Sequence, residues 1–152
     1  MAELRDTPYN AFNYLVNLGD GSEATVMGGF SEVSGLNAEV TIAEYRNGNA
    51  KVNYVTKIPA INKSGDVTLK RGVIGAANIY TWLEQVRAGD VTAKRNVEIK
   101  LTGEIPGSSP VVTWKLLGAM PIKWTGPTLT AKGGSDVAIE ELVLAVEHIV
   151  QA

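Results

Sequence analysis

The sequence predicts a mainly β protein: a small β-barrel or sandwich of antiparallel strands with one flanking α-helix. Three observations carry this. Apolar and polar residues alternate at a period of two through most of the chain, the pattern of strands with one buried face. Sixteen glycines are spread between those stretches, where turns are needed. A 3.6-residue apolar stripe occurs once, near the middle. The 152 residues suit one domain, expected to span 1–152.

The first strand is Phe12, Tyr14, Val16 and Leu18 alternating with Asn13 and Asn17, and Gly19–Ser22 supplies the turn after it. A short apolar stretch, Ala24–Met27, ends at Gly28-Gly29. Ala38, Val40 and Ile42 alternate with Asn37, Glu39 and Thr41 in the next clear strand. Arg46-Asn47-Gly48-Asn49 contains an Asn-Gly turn signal. Val52, Tyr54, Thr56 and Ile58 then resume the alternation until Pro59, and Asp66–Arg71 repeats it. Ile79, Trp82, Leu83 and Val86 fall at i, i+3, i+4 and i+7, which predicts one helix over roughly 76–88 with Gly89 as its left-handed C-terminal cap.

Val97, Ile99 and Leu101 form a strand, Gly103–Pro110 is a hairpin loop, and Val111–Met120 returns. Pro121 is expected to stop pairing, because it has no N–H for a ladder. Trp124–Thr130 reads as a bent or edge strand broken by Gly126-Pro127, and Lys132–Asp136 as a turn. The last strand changes phase: Val137 and Ile139 sit at odd positions, Leu142, Leu144 and Val146 at even ones. A bulge near Glu140-Glu141 would reconcile them. Seven or eight short strands and one helix result.

Composition removes most chemistry. At 45% hydrophobic and 20% charged the chain is globular rather than a disordered tail. Its net charge of −2 leaves no positive excess to neutralise phosphates, so nucleic-acid binding is not a main role. No cysteine and a single histidine, His148, exclude thiol nucleophiles, disulfides and most zinc sites. Strand alternation puts Glu147 and His148 on opposite faces, which prevents an adjacent acid–base pair. Glu140-Glu141 would likewise diverge in a regular strand, and reads as charge marking an exposed bulge. The glycines match no phosphate loop: Gly28-Gly29 leads to Phe30 without a Lys-Ser/Thr, and Gly133-Gly134 to Ser135-Asp136. Lys70-Arg71 and Lys94-Arg95 lack interleaved aromatics. Trp82, Trp114 and Trp124 are assigned to the core. Neither catalysis nor a cofactor is expected. The longest aliphatic run, Leu142–Val146, is far below the ~20 residues that span a bilayer, so no membrane insertion by the subunit is expected. No signal-peptide stretch follows Met1, so synthesis in a bacterial cytoplasm is expected, and Asn62-Lys63-Ser64 is a chance sequon.

Several stretches read in order resemble a known family. They are Gly29–Leu36 (GFSEVSGL), Glu44–Gly48 (EYRNG), Val67–Val73 (VTLKRGV), the helix bearing Trp82, Pro121–Trp124 (PIKW) and Val137–Ala145 (VAIEELVLA). This series is similar to the tail-tube proteins of contractile phages, in the branch shared with phage-derived extracellular contractile injection systems. It runs from Tyr9 to Ile149. The resemblance implies a tail-tube (Hcp-like) sandwich with one helix, whose copies close into hexameric rings that stack into a hollow tube inside a contractile sheath. The implied partners are further copies of the chain, the sheath protein, baseplate or spike and tube-terminating proteins, and a lumen cargo of protein effector or DNA. The particle is a phage tail or a tail-like device released extracellularly.

Within that resemblance, polar strand positions become candidates. Glu39, Thr41, Asp66, Thr68, Lys70, Glu98 and Lys100 are lumen-facing candidates. Arg46, Asn47, Gly48, Asn49, Lys57 and Lys63 are candidates for a ring-stacking loop, and Asn78, Glu84 and Arg87 for the sheath-facing side of the helix. A ring of six would carry six times −2, about −12, so mixed Glu/Lys faces in a lumen are physically sensible. Two other readings stay open: a tube-initiating or baseplate-proximal paralogue of the same particle, and a monomeric small-ligand-binding β-barrel. Because His148 is the only histidine available as a base, His148→Ala is expected to leave folding and self-assembly unchanged, as size-exclusion chromatography and electron microscopy would record.

Overall fold

The computed structural model describes residues 5–19, 29–75, 77–105, 107–134 and 136–152. The expected Ala24–Met27 stretch and most of the Gly19–Ser22 turn lie outside them. Among the described residues the elements run β1 (Tyr14–Asn17), β2 (Glu32–Ser34), β3 (Ala38–Tyr45), β4 (Thr56–Ser64), β5 (Val67–Gly72), α1 (Asn78–Arg87), β6 (Arg95–Thr102), β7 (Pro110–Thr125), β8 (Ile139–Ala145) and β9 (His148–Gln151). A 3₁₀ turn, Val91–Ala93, joins α1 to β6. Asp90 caps it by accepting from the Thr92 amide at 2.9 Å and hydroxyl at 2.6 Å, which holds its carboxyl below the usual carboxylate range.

Seven strands form one antiparallel path, β1-β6-β7-β8-β5-β2, with β9 added to β7. The path folds into two layers because the sixteen-residue β7 serves both. Its first part pairs with β6 and, at Trp114–Leu117, with β9; Met120–Thr125 pairs with β8. Core side chains come from both layers. Val16, Val97, Ile99 and Leu116 face Val67, Leu69, Leu142 and Leu144, and Ile79 and Trp82 of α1 complete the cluster. Burial of each aliphatic side chain contributes roughly 1.5–3 kcal/mol. Trp82 satisfies its indole N–H by donating to the Ala93 carbonyl at 2.7 Å, and the Arg95 guanidinium lies 4.7 Å from its ring centre.

The helix and the fold class match the sequence reading; several boundaries do not. Residues 46–55 are loop rather than strand from Val52, because the Arg46 guanidinium takes the Ala50 and Val52 carbonyls at 3.4 and 3.1 Å. β4 runs through Pro59, which pairs with Ile42 in a two-stranded ribbon where one side of each strand has no ladder. β7 likewise runs through the buried Pro121, at the point where it leaves β6 and β9 and takes up β8. The strand expected over Trp124–Thr130 ends at Thr125, and β9 is an additional strand.

The bulge expected at Glu140-Glu141 is absent. β8 pairs with β5 without interruption, Gly72 to Ile139 and Val67 to Leu144. Glu140 is buried in phase with Leu142 and Leu144, while Val137 and Ile139 point outward. A carboxylate occupies a core position, and this made the apolar phase look shifted. Its partner is Arg71, whose Nε lies 2.7 Å from Glu140 Oε1 with both side chains buried. The Arg71 guanidinium also donates to Asn78 Oδ1 at 2.8 Å and sits 5.6 Å from the Phe30 ring centre. Trp124 Nε1 donates to Glu140 Oε2 at 3.2 Å. One polar cluster therefore ties β5, β7, β8 and α1 together.

Gly35 sets how the chain leaves β2. Its φ is +88°, and a Cβ there would stand 2.2 Å from the Asp66 carbonyl oxygen, a contact that backbone cannot relieve. Beside it, the Gly65 amide donates to Asn37 Oδ1 at 2.6 Å, closing the base of the β3–β4 pair.

Glu140→Leu or Arg71→Leu alone is expected to cost about 3–5 kcal/mol in urea unfolding, because each leaves a buried charge without its partner. Replacing both with Met should recover most of that loss. Gly35→Ala is expected to destabilise by about 1–3 kcal/mol through backbone strain, read in the same titration.

Candidate assembly surfaces

Most of the core is closed by the two layers and α1, but β3 and β4 stand apart. They form their own two-stranded sheet, about 27 Å long for eight residues, and every β3 residue is exposed. Val40, Ile42, Tyr45, Ile58 and Ile61 are exposed on it, Ile61 to 73%, and Tyr54 in the connecting loop is 72% exposed. An isolated two-stranded ribbon is marginal in water, and although β4 touches β9, apolar side chains on both of the ribbon's faces stay exposed. Opposite charges face each other across it: Glu39 is the register partner of Lys63, and Glu44 of Lys57.

The ribbon gathers all six stacking candidates. Arg46, Asn47, Gly48 and Asn49 form its tip, where the Ala50 amide donates to the Asn47 carbonyl at 3.1 Å, and Lys57 and Lys63 lie on β4. Glu39 and Thr41, candidates for a lumen, lie on the same ribbon and not with the remaining lumen candidates.

Those remaining candidates divide between the two layers. Thr68 and Lys70 alternate with the buried Val67 and Leu69 on β5, and Asp66 is exposed just before them. Glu98 and Lys100 alternate with the buried Val97 and Ile99 on β6. Both inner faces meet in one core, so the two outward faces are turned away from each other. On the β5 side, Lys70 pairs with Glu32 at 3.2 Å and lies opposite Glu141 in register, with Lys123 and Thr125 one strand further on β7. On the β6 side, Lys100 and Glu98 are 3.6 Å apart and Lys115 lies opposite Glu98. Sequence reasoning did not select Glu32, Glu141 or Lys123. They lie outside the regular alternating stretches of the sequence, and only the β2–β5–β8–β7 pairing puts them beside Lys70.

On α1, Glu84 and Arg87 are exposed and joined at 2.7 Å, while Asn78 is turned inward to Arg71. Two surface clefts complete the picture. One of about 280 Å³ lies where the layers part, lined by Tyr14, Val33, Leu36, Ile99, Leu101 and Trp114. Tyr14 donates to the Phe30 carbonyl at 2.8 Å, and burial, reinforced by nearby Glu32, raises its phenol above the ordinary value. The other, about 580 Å³, runs between the ends of β5 and β8 and the segment 126–138, with exposed Leu129 and Val137 in its wall. His148 is exposed on β9.

This arrangement has counterparts among known proteins. A chain of the PVC extracellular contractile injection system sheath–tube complex, in its extended state, superposes with a TM-score of 0.81 at 28% identity, covering 97% of this chain and 93% of that one. A chain of the tube-terminating cap structure of the anti-feeding prophage gives 0.82 at 25% identity over 100% and 95%. Hcp1 from Flavobacterium johnsoniae, at 10% identity and 0.51 over 91% and 94%, shares the fold alone. No curated protein sequence matches. The model of the T4-like virus tail tube protein gp19 family matches residues 10–150, nearly the whole chain, and the protein belongs to that family.

Proposed function

We propose that this chain is the structural inner-tube subunit of a contractile injection system or contractile phage tail, and that its copies form hexameric rings stacked around a hollow lumen. The observation that carries the reading is the β3–β4 ribbon. Its apolar residues are uncovered on both faces, and a second copy of the chain supplies the missing cover. In this reading the ribbon bridges rings, the sheath meets the α1 surface bearing Glu84 and Arg87, and baseplate and terminating proteins cap the stack. The chain works by shape and pairing, without catalysis.

The lumen wall is assigned to the outward face of β2, β5, β8 and the second part of β7. Glu32, Ser34, Thr68, Lys70, Glu141, Lys123 and Thr125 give that face mixed charge, with Ile139 exposed at its edge where β8 begins. The β1–β6 face carries Glu98, Lys100 and Lys115 and exposes Leu15 between them and the edge of the sheet. A water-filled channel that passes protein or DNA favours the former, since balanced charge neither repels nor retains the cargo. A ring at the end of the tube is the second reading, favoured by the likeness to the anti-feeding prophage cap structure.

Negative-stain microscopy of the purified chain should show rings of six or tubes of stacked rings; a monodisperse monomer at high concentration would overturn the reading. Deleting Asn47–Asn49 should preserve rings and shorten or abolish tubes, whereas tubes of normal length would exclude the ribbon from stacking. Reversing both charges of the Glu84–Arg87 pair should leave tubes intact and weaken sheath co-assembly, measured by co-sedimentation.

A further inference from the structure

The tip of the ribbon carries a chemical feature that assembly does not explain. Asn47-Gly48 is the sole Asn-Gly step in the sequence, and it lies in an exposed turn. The Tyr45 phenol, two residues before it, donates its hydrogen bond to Asn47 Oδ1. Nothing lies within 4 Å of where a Gly48 Cβ would stand, so no neighbouring atom crowds the backbone at that position. Arg46, tied to the Ala50 and Val52 carbonyls, fixes a positive charge on the same loop.

We propose that Asn47 is a site of intramolecular deamidation, with Tyr45 as the activating donor. The backbone nitrogen of Gly48 attacks Cγ of Asn47 and closes a five-membered succinimide. The new bond is N–Cγ, the bond broken is Cγ–Nδ2, and the amide proton leaves with the side-chain nitrogen as ammonia. Water then opens either carbonyl of the ring, leaving aspartate or isoaspartate at position 47. No oxidant or reductant is involved. As the ring closes, negative charge develops on Oδ1, where the Tyr45 hydroxyl already points; a donor aimed at developing charge lowers the barrier. The guanidinium on the same loop favours the deprotonated amide nitrogen that attacks. Asn49 and Asn53 share the exposed loop but precede Ala50 and Tyr54, whose β-carbons hinder the same approach.

Each conversion takes the chain's net charge from −2 to −3 at the point given above to ring stacking. Only that consequence rests on the tube reading; the chemistry needs the folded chain alone. The test is therefore independent of assembly. The full-length protein is incubated as dispersed subunits at mildly alkaline pH and followed by peptide mapping with mass spectrometry. The expected product is an amide-to-acid mass gain confined to position 47, eluting as paired aspartate and isoaspartate peptides. Tyr45→Phe should slow it roughly three- to tenfold, the effect of one hydrogen bond. Gly48→Ala should slow it several-fold, because the added β-carbon hinders the approach of the backbone nitrogen. In urea, the wild-type and Tyr45→Phe rates should converge. Conversion at another asparagine, no conversion at 47, equal rates for Tyr45→Phe and wild type in the folded state, or a rate difference that persists in urea would each overturn the proposal.

Discussion

The buried pair of Arg71 and Glu140 is the constraint around which the second layer and the helix are arranged. Two ions at a core position are tolerable only when their remaining donors and acceptors are also met. Asn78 at the start of α1 and Trp124 on β7 do this, each bonded to one member of the pair. The pair therefore fixes more than two strands. It locks the β5–β8 register, because a one-residue slip would carry Glu140 out to solvent and leave Arg71 alone inside. It also anchors the helix by its first residue, which has no capping side chain of its own at Ala77. Phe30 over the guanidinium extends the same anchorage to the chain entering β2.

From that fixed layer the assembly surfaces follow. β7 contributes outward polar residues to both layers, Lys115 beside β6 and Lys123 and Thr125 beside β8, so each layer turns a charged surface outward while sharing one interior. The ribbon departs from β2 through Gly35 and returns through Gly65 directly into β5, the strand that carries Arg71. A structure projecting from a rigid base suits a subunit whose contacts must be reproduced identically in every copy. Glu and Lys are register partners across the ribbon, and its apolar residues stay exposed.

Much of the fold was legible because strand and helix periods are local. Period two located β1, β3, β5 and β6, and the single 3.6 period with Gly89 located α1. The misreadings share one cause: a local rule overruled by a distant partner. Pro59 and Pro121 read locally as strand ends, yet each sits where one side of its strand has no ladder. Glu140 reads locally as the mark of an exposed bulge, yet Arg71, 69 residues earlier, makes it a core residue. Val52 continued an alternating pattern, yet Arg46 claims its carbonyl. For the assembly surfaces, alternation identified Thr68, Lys70, Glu98 and Lys100 as outward polar residues but gave no information on which layer each belonged to.

The sequence by itself determined the fold class, the position of the helix, the ordered motifs of the tail-tube family, and the lack of thiols and of histidine pairs that makes a structural role reasonable. These rest on composition and short-range periodicity, which no partner alters. Tertiary structure decided that Glu140 and Arg71 are buried together, that the polar strand faces belong to two opposed surfaces, and that β3 and β4 form a ribbon with neither face covered. The ribbon had the alternation of a half-buried strand, and alternation reports only that two faces differ. Which of them meets the chain's own core depends on whether any element folds back to cover it, and here β9 touches β4 yet both strands stay exposed.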